Sequence, residues 1–158
     1  MKVLALFFSM MLFNACAKTI NVQVVRVLDG DTIDVVTLPA NVLTYETPMR
    51  IRFANIDAPE KSQPYGMQSR AILSAAIDGK RVDINISAQD KYGRFIGTVM
   101  LNGQNINRYM VVTGSAWVYR QYCSDKHMYA LELKARYAKK GLWDAPKPVA
   151  PWEYRHAG

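Results

Sequence analysis

Apolar and polar residues alternate in several short stretches of the chain, and this period of two predicts β-strands. The first strand covers residues 20–27, and its alternation shifts by one residue at Val25, which indicates a β-bulge. A second strand at 32–36 follows Asp29-Gly30-Asp31, a sequence typical of a tight turn. Three further strands are predicted at residues 49–53, 82–86 and 95–101.

Three segments predict helices, at residues 68–78, 105–113 and 125–140, because each ends directly before a glycine. Short strands with helices inserted and appended indicate a mainly β domain with α-helices (α+β). We expect an OB-fold, that is, a five-stranded barrel with three helices, which often binds nucleic acid or sugar on one face. The segment after Leu142 contains three prolines and is predicted to be extended rather than helical.

Composition and charge narrow the class of protein. A chain of 158 residues with 50% hydrophobic and 21% charged residues suits one globular domain rather than a disordered segment. Its net charge of +7 and its isoelectric point of about 9.5 favour a polyanionic partner, either nucleic acid or an anionic membrane surface. Simple solubility is the alternative that charge alone leaves open.

The N-terminus has the pattern of a targeting segment. Lys2 precedes an apolar run at residues 3–13 that is too short to span a bilayer, and Ala15-Cys16-Ala17 resembles a cleavage site. We therefore expect an exported protein, secreted or periplasmic, with a signal at 1–17, a domain at 18–145 and a proline-rich tail at 146–158. In the alternative interpretation, Cys16 is the lipidated residue of a lipoprotein and anchors the chain.

The few cysteines and histidines limit the chemistry. With two of each, a zinc site of the usual spacing is absent, so any metal must be held mainly by oxygen. Cys123 has His127 four residues away, which leaves a catalytic thiol as one hypothesis. We favour a structural role, because Cys123 lies in a sequence typical of a loop that enters a helix.

Acidic residues follow two strands that can be neighbours in one sheet. Asp29-Gly30-Asp31 lies at a turn, and Asp57 and Glu60 come just after the strand at 49–53. Clustered carboxylates repel each other unless a cation is present, and a hard cation such as Ca²⁺ prefers several oxygen ligands. Taken alone, however, the triplet is more often an ordinary turn.

Two arginines strengthen the case for a site. Arg52 alternates with Ile51 and Phe53 and so points away from the face that those two bury. Arg94 comes directly before the strand at 95–101. A guanidinium group can donate two hydrogen bonds to the equatorial oxygens of a phosphodiester. A nearby carboxylate can then orient or deprotonate the attacking water. Either arginine alone is best explained as surface charge, but the combination favours phosphodiester cleavage.

Three motifs resemble signature blocks of the staphylococcal nuclease (thermonuclease) family. They are VLDGDTI at residues 27–33, RFANIDAPE at 52–60 and DKYGR at 90–94, and they occur in the order and at the spacing typical of the family. The resemblance covers about residues 20–143. It implies an OB-fold and a Ca²⁺-dependent phosphodiesterase that acts on DNA and RNA, with a preference for single-stranded or unpaired regions.

The resemblance also implies the roles of the acids. Asp31 and Asp57 would bind Ca²⁺ together with the backbone carbonyl of Ala58, and Glu60 would act as general base on the attacking water. The attack would release the 5′-oxygen and leave 3′-phosphate products.

By the same resemblance, Arg52 and Arg94 would bind the scissile phosphate. Four further residues would border the nucleotide, namely Lys91, Tyr92, Trp117 and Tyr119. Neither an obligate protein partner nor an oligomer is expected.

Two other function classes are open on the sequence. An OB-fold can bind nucleic acid without catalysis, but such a module is expected to lose part of its charged constellation, which is complete here. A membrane-surface protein would need a basic amphipathic helix with bulky apolar residues opposite, and the helix at 125–140 has only a modest apolar stripe.

Overall fold

The structure is a computed structural model that describes residues 18–37 and 48–157. The predicted signal at 1–17 and most of the predicted loop at 38–48 lie outside these residues. Among the helices of the described part, none has the length and apolar character needed to cross a membrane.

Alternating residues form the strands, as the sequence predicts. The principal strands are β1 (Lys18–Val27), β2 (Thr32–Thr37), β3 (Met49–Phe53), β5 (Arg81–Gln89) and β6 (Phe95–Leu101). Three short strands complete the set, namely β4 (Ile56–Asp57), β7 (Gln104–Asn105) and β8 (Trp117–Val118).

The five principal strands close into a barrel. Strand β1 pairs antiparallel with β2 and β5, β2 pairs with β3, and β5 pairs with β6. A parallel pairing of β3 with β6 closes the circle. The register of β1 on β2 shifts between Val24 and Arg26, so the predicted bulge is confirmed. The predicted five-stranded OB-fold is also confirmed.

The inward faces of these strands form the core. Val24, Ile33, Ile51, Ile84 and Val99 are fully buried, and each comes from a different strand of the barrel. Burying a side chain of this size stabilises the fold by roughly 1.5–3 kcal/mol. Since side chains alternate along a strand, the same burial turns the residues between them outward, and this places charged groups on the barrel surface.

The helices cover the barrel and extend beyond the prediction. They are α1 (Gly66–Ile77), α2 (Ile106–Val112), α3 (Lys126–Tyr137), a 3₁₀ turn (Gly141–Asp144) and α4 (Pro151–Ala157). The described residues thus contain four α-helices where three were predicted. The prediction of an extended tail is wrong for residues 151–157. Pro151 is the first residue of α4, where the N–H that proline lacks has no partner within the helix.

A second apolar cluster holds the C-terminal segment against the barrel. Trp117, Ala135, Trp143 and Ala150 are buried together with Leu142. The guanidinium of Arg136 lies over the rings of Trp117 and Trp143, at 4.7 and 3.9 Å from their centroids. This cluster packs the chain between α3 and α4 against the rest of the domain.

Asp34 on β2 gives the outer face of the barrel a pH-dependent contribution to stability. Its carboxylate accepts hydrogen bonds from Arg50 at 2.9 Å and from Arg26 at 3.1 Å, and it is 3% exposed. Burial alone would raise the pKa of Asp34, but the hydrogen bonds from the two arginines outweigh it and lower this pKa below its usual value.

We therefore expect Asp34→Asn to lower the free energy of unfolding at pH 7 by about 1–2 kcal/mol, because Arg26 and Arg50 lose their ionic partner. The loss is limited because both guanidinium groups are about half-exposed to solvent. A depressed folded-state pKa stabilises the protein above the unfolded-state pKa of about 4, and this stabilisation is lost as the pH falls. The deficit should thus shrink below pH 4 in urea titrations. The control is Asp83→Asn, an exposed strand carboxylate hydrogen-bonded to Asn21, and an equal deficit at pH 7 and pH 3 would contradict the assignment.

Candidate active site

An open cleft of about 820 Å³ lies where the 29–31 turn, the segment after β3 and the turn between β5 and β6 meet. Nine of the ten predicted site residues line this cleft: Asp31, Arg52, Asp57, Ala58, Glu60, Lys91, Tyr92, Arg94 and Tyr119. The sequence motifs are therefore brought together by the fold.

Arg52 is the central cation of the cleft. It lies on β3, and its side chain is 13% exposed. One guanidinium nitrogen is 2.6 Å from Oδ2 of Asp31, and the other donates to Oδ1 of Asp57 at 2.7 Å. The register of β2 on β3 pairs Thr32 with Arg52, which places Asp31 beside the arginine. A single buried guanidinium thus joins two carboxylates from separate segments.

The turn after β3 returns Asp57 to the arginine five positions before it. Asn55 has a φ of +68°, a left-handed conformation that asparagine tolerates better than most residues. The chain then pairs as β4 with β8, where Asp57 lies opposite Trp117. The carboxylate of Asp57 is therefore fixed by backbone pairing as well as by its ionic partners.

Asp31 is held in one orientation by its neighbours. The Ala58 N–H donates to Oδ2 of Asp31, and the Thr32 hydroxyl donates to Oδ1 at 3.0 Å. These bonds link the 29–31 turn directly to the segment that carries Asp57 and Glu60. Because its orientation does not depend on solvent, the Asp31 carboxylate is preorganised in the cleft.

Burial and a neighbouring carboxylate disfavour the charged forms of Asp29 and Asp57. Burial and the neighbouring charge of Asp31 raise the pKa of Asp29 to about 7. Burial also raises the pKa of Asp57, and Asp31 adds to the rise, although Arg155 and Arg52 oppose it. Such a group of carboxylates is stabilised by any added cation.

Glu60 lies at the mouth of the cleft, where its side chain is 39% exposed. Its backbone N–H donates to Oε1 of Gln63 at 3.1 Å, and its Oε1 accepts from Arg155 at 2.7 Å. A carboxylate placed here can reach both the cleft and solvent water.

Arg94 lies across the cleft on a turn that Asp90 stabilises. The Asp90 carboxylate accepts from the backbone N–H groups of Tyr92 and Arg94 at 2.9 and 3.0 Å, and from Nε of Arg94 at 2.7 Å. Lys91 and Arg94 lie over the ring of Tyr92, which is 73% exposed. The turn presents two cations and an aromatic face to the cleft.

Trp117, which was expected to border a nucleotide, does not line the cleft. It is 9% exposed, and its ring packs edge-on against Trp143 at 4.4 Å. Its parity in β8 turns the side chain towards the second apolar cluster, whereas Tyr119 lines the cleft. Trp117 thus contributes to packing beneath the site.

The structure adds one residue that the sequence did not single out. Arg155 on α4 lines the cleft, and its guanidinium contacts Asp57 at 2.8 Å and Glu60 at 2.7 Å. Arg155 lies in the segment after Leu142, and the extended conformation predicted there gave no reason to bring it to the acids.

The donor set suits a hard cation but supplies few carboxylates. Asp31 and Asp57 contact the two terminal nitrogens of the same guanidinium, at 2.6 and 2.7 Å. Within 18–37 and 48–157, no three acid, histidine or cysteine side chains converge as a metal-binding group. A Ca²⁺ ion, which takes six to eight oxygens, would therefore depend on backbone, water or phosphate oxygens for the remainder.

Cys123 is a free thiol in the core rather than a nucleophile of the cleft. It is 4% exposed, and burial raises the pKa of its thiol. A raised pKa disfavours the thiolate, which is the reactive form. The structural role that the sequence favoured for Cys123 agrees with this environment.

Comparison with known proteins identifies the family. Residues 50–145 match the family model described as Staphylococcal nuclease homologue. A protein of Escherichia coli O157:H7 described as an uncharacterized endonuclease is 44% identical over 135 residues, covering 85% of this chain and 84% of that protein. A micrococcal nuclease of Shigella flexneri is 40% identical over 146 residues, covering 85% and 80%.

The chain therefore belongs to the staphylococcal nuclease family, as its motifs predicted. Together with the cleft, family membership supports a nuclease, that is, a hydrolase of phosphodiester bonds, as its functional class.

Gly30 lets the 29–31 turn pack closely against the rest of the site. A Cβ at this position would lie 1.9 Å from Oγ of Ser69 and 2.7 Å from Cβ of Ala58. We expect Gly30→Ala to displace the turn, to lower the free energy of unfolding by about 1–3 kcal/mol through overpacking, and to reduce activity. Thermal unfolding and a rate assay would measure both effects. Adding Ser69→Ala removes the closest atom and should recover part of the loss, whereas an unchanged melting temperature in Gly30→Ala would show that the contact is loose.

Proposed function

We propose that this protein is an exported Ca²⁺-dependent endonuclease that hydrolyses phosphodiester bonds of DNA and RNA. The observation that carries the proposal is the convergence of Asp31 and Asp57 on Arg52, in a cleft whose walls carry Glu60 and Arg94. Family membership supports the same reaction class.

Asp31 and Asp57 would hold the cation through their carboxylates, together with the backbone carbonyl of Ala58. When bound, Ca²⁺ would neutralise charge on the phosphate oxygens and polarise phosphorus. Preorganisation supports this assignment, since the hydrogen bonds from Thr32 and from the backbone of Ala58 already orient Asp31.

The two arginines would bind the phosphate from opposite sides of the cleft. A guanidinium presents paired N–H donors that match phosphate oxygens, and these contacts strengthen as charge gathers in the transition state. Arg52 approaches from the barrel floor, and Arg94 approaches from the turn at 90–93. Removal of the Arg94 guanidinium should therefore affect turnover more than folding. Removal of Arg52 should lower stability as well, because it leaves the buried carboxylates of Asp31 and Asp57 without their cation.

Glu60 would orient and deprotonate the attacking water. Its position at the cleft mouth, where the side chain is 39% exposed, gives it access to solvent water. The 5′-oxygen would leave, and the products would carry 3′-phosphates.

The substrate would be a single strand or an unpaired region. Tyr92 and Tyr119 line the cleft with aromatic faces on which unpaired bases can stack. The net charge of +7 would assist the approach of a polyanion. We propose that the protein acts as a monomer after export, either free in the periplasm or medium or anchored through Cys16.

The first test is digestion of single-stranded DNA and of RNA with Ca²⁺, with Mg²⁺ and with chelator. We expect cleavage with Ca²⁺, loss of cleavage in chelator, and products that carry 3′-phosphate termini by end-group analysis. Sustained cleavage in chelator would refute the metal requirement. Binding of DNA without cleavage under every condition would identify a non-catalytic OB-fold module instead.

The second test is Glu60→Gln, which keeps size and removes the base. Because a positioned base contributes about 10²–10⁴-fold, turnover should fall by that factor while the melting temperature changes little. Glu153→Gln is the matched control, since Glu153 is an exposed glutamate on α4 that lies outside the cleft. A Glu60→Gln variant as active as this control would exclude the assigned role.

A further inference from the structure

The C-terminal helix α4 lies beyond residue 145, where the match to the family model ends, yet it supplies a side chain to the cleft. We propose that Arg155 is a positioning residue for the reaction, and that α4 is an integral wall of the active site. The inference rests on the proposed function, because it assigns Arg155 the task of placing Glu60 relative to the metal ligand Asp57.

Arg155 joins two carboxylates of different function. One nitrogen donates to Oδ2 of Asp57 at 2.8 Å, and the other donates to Oε1 of Glu60 at 2.7 Å and to Oδ1 of Asp57 at 3.3 Å. The planar fork of a guanidinium fixes the directions of these bonds. Within residues 18–37 and 48–157, no other side chain hydrogen-bonds the Glu60 carboxylate, so Arg155 determines where this group points.

Gln63 ties the backbone of Glu60 to the same C-terminal segment. Its Oε1 accepts from the Glu60 N–H at 3.1 Å, and its Nε2 donates to the Val149 carbonyl at 2.7 Å. Gln63 is 5% exposed, so both bonds are shielded from water. The backbone and the carboxylate of Glu60 are thus both held by the chain at 149–155.

Packing holds α4 firmly enough for this task. Trp152 stacks on Tyr119 with ring centroids 5.4 Å apart and planes at 5°, and it meets Trp117 edge-on at 5.6 Å. The Tyr154 hydroxyl donates to the Ser62 carbonyl at 3.2 Å. Trp152 and Arg155 are three residues apart and so lie on one face of α4, which is the face turned to the cleft.

Precise placement of Glu60 has a direct consequence for rate. Displacing a reacting group by about 1 Å can cost about 10²-fold in turnover, even where the group itself is unchanged. Glu60 is half-exposed at the cleft mouth, where without Arg155 it would sample other rotamers. Removal of the guanidinium should therefore reduce turnover while leaving substrate affinity nearly intact.

The experiment compares Arg155→Gln, Arg155→Lys and the parent protein as full chains with saturating Ca²⁺. We expect Arg155→Gln to lower kcat by about 10- to 100-fold with KM changed less than about 3-fold. Arg155→Lys keeps one ionic contact and should recover part of the rate. Arg108→Gln is the matched control, because it removes an equally exposed, ion-paired arginine that lies away from the cleft, and it should retain the parent's kcat.

Two further measurements separate positioning from other roles. In a Glu60→Gln background, Arg155→Gln should add less than about a 2-fold effect, because the two residues act as one unit. Ca²⁺ affinity, measured by calorimetry without substrate, should be unchanged or tighter in Arg155→Gln, since a competing cation has been removed.

Several outcomes would overturn the proposal. An unchanged kcat in Arg155→Gln, or an increase in KM alone, would show that Arg155 does not position the base. A faster enzyme with tighter Ca²⁺ binding would identify an inhibitory latch. A fall in kcat accompanied by a fall in melting temperature, with no recovery in Arg155→Lys, would reduce the role to folding. Absence of cleavage by the parent protein itself would instead refute the proposed function.

Discussion

The ion pairs of Arg52 with Asp31 and Asp57 are the constraint on which the site depends. A buried guanidinium is costly to desolvate, and it is tolerated because two carboxylates surround it at 2.6 and 2.7 Å. Neither Arg52 nor Asp31 can move away from the other. Arg52 lies on β3, which is paired on both sides by β2 and β6, and the Ala58 N–H holds Asp31. The barrel therefore serves as a rigid mount for a charged cluster that would be unstable on a mobile loop.

The outer parts of the cleft are less buried, and side-chain contacts rather than sheet pairing hold them in place. The turn at 90–93 is organised by the Asp90 carboxylate, which binds two backbone N–H groups as well as Arg94. Glu60 depends on Gln63 and Arg155, and both of these connect it to the C-terminal segment. The buried cluster is thus fixed by sheet pairing, and the cleft mouth is fixed by contacts distant in sequence.

This division explains what the sequence could predict. Alternation along β3 determines that Ile51 and Phe53 face the core and that Arg52 does not, because strand parity is a local property. Trp117 lies in a strand of two residues, where parity is decided by the tertiary partner and not by a repeating pattern. Arg155 meets Asp57 across 98 positions, and no local signal encodes such a contact. The prolines that suggested an extended tail are compatible with a helix that begins at Pro151.

The pairing of charges in the cleft links the binding of a metal to the binding of a substrate. The chain carries a net charge of +7, yet the cleft arginines already have carboxylate partners: Arg52 with Asp31 and Asp57, and Arg94 with Asp90. A phosphate that approached this cluster alone would have to compete with those carboxylates for the same N–H donors. If Asp31 and Asp57 share their charge with a divalent cation, the N–H groups of Arg52 become free to donate to a phosphate. Because an anion and a cation each relieve the cost of binding the other, we expect metal and nucleic acid to bind with positive coupling.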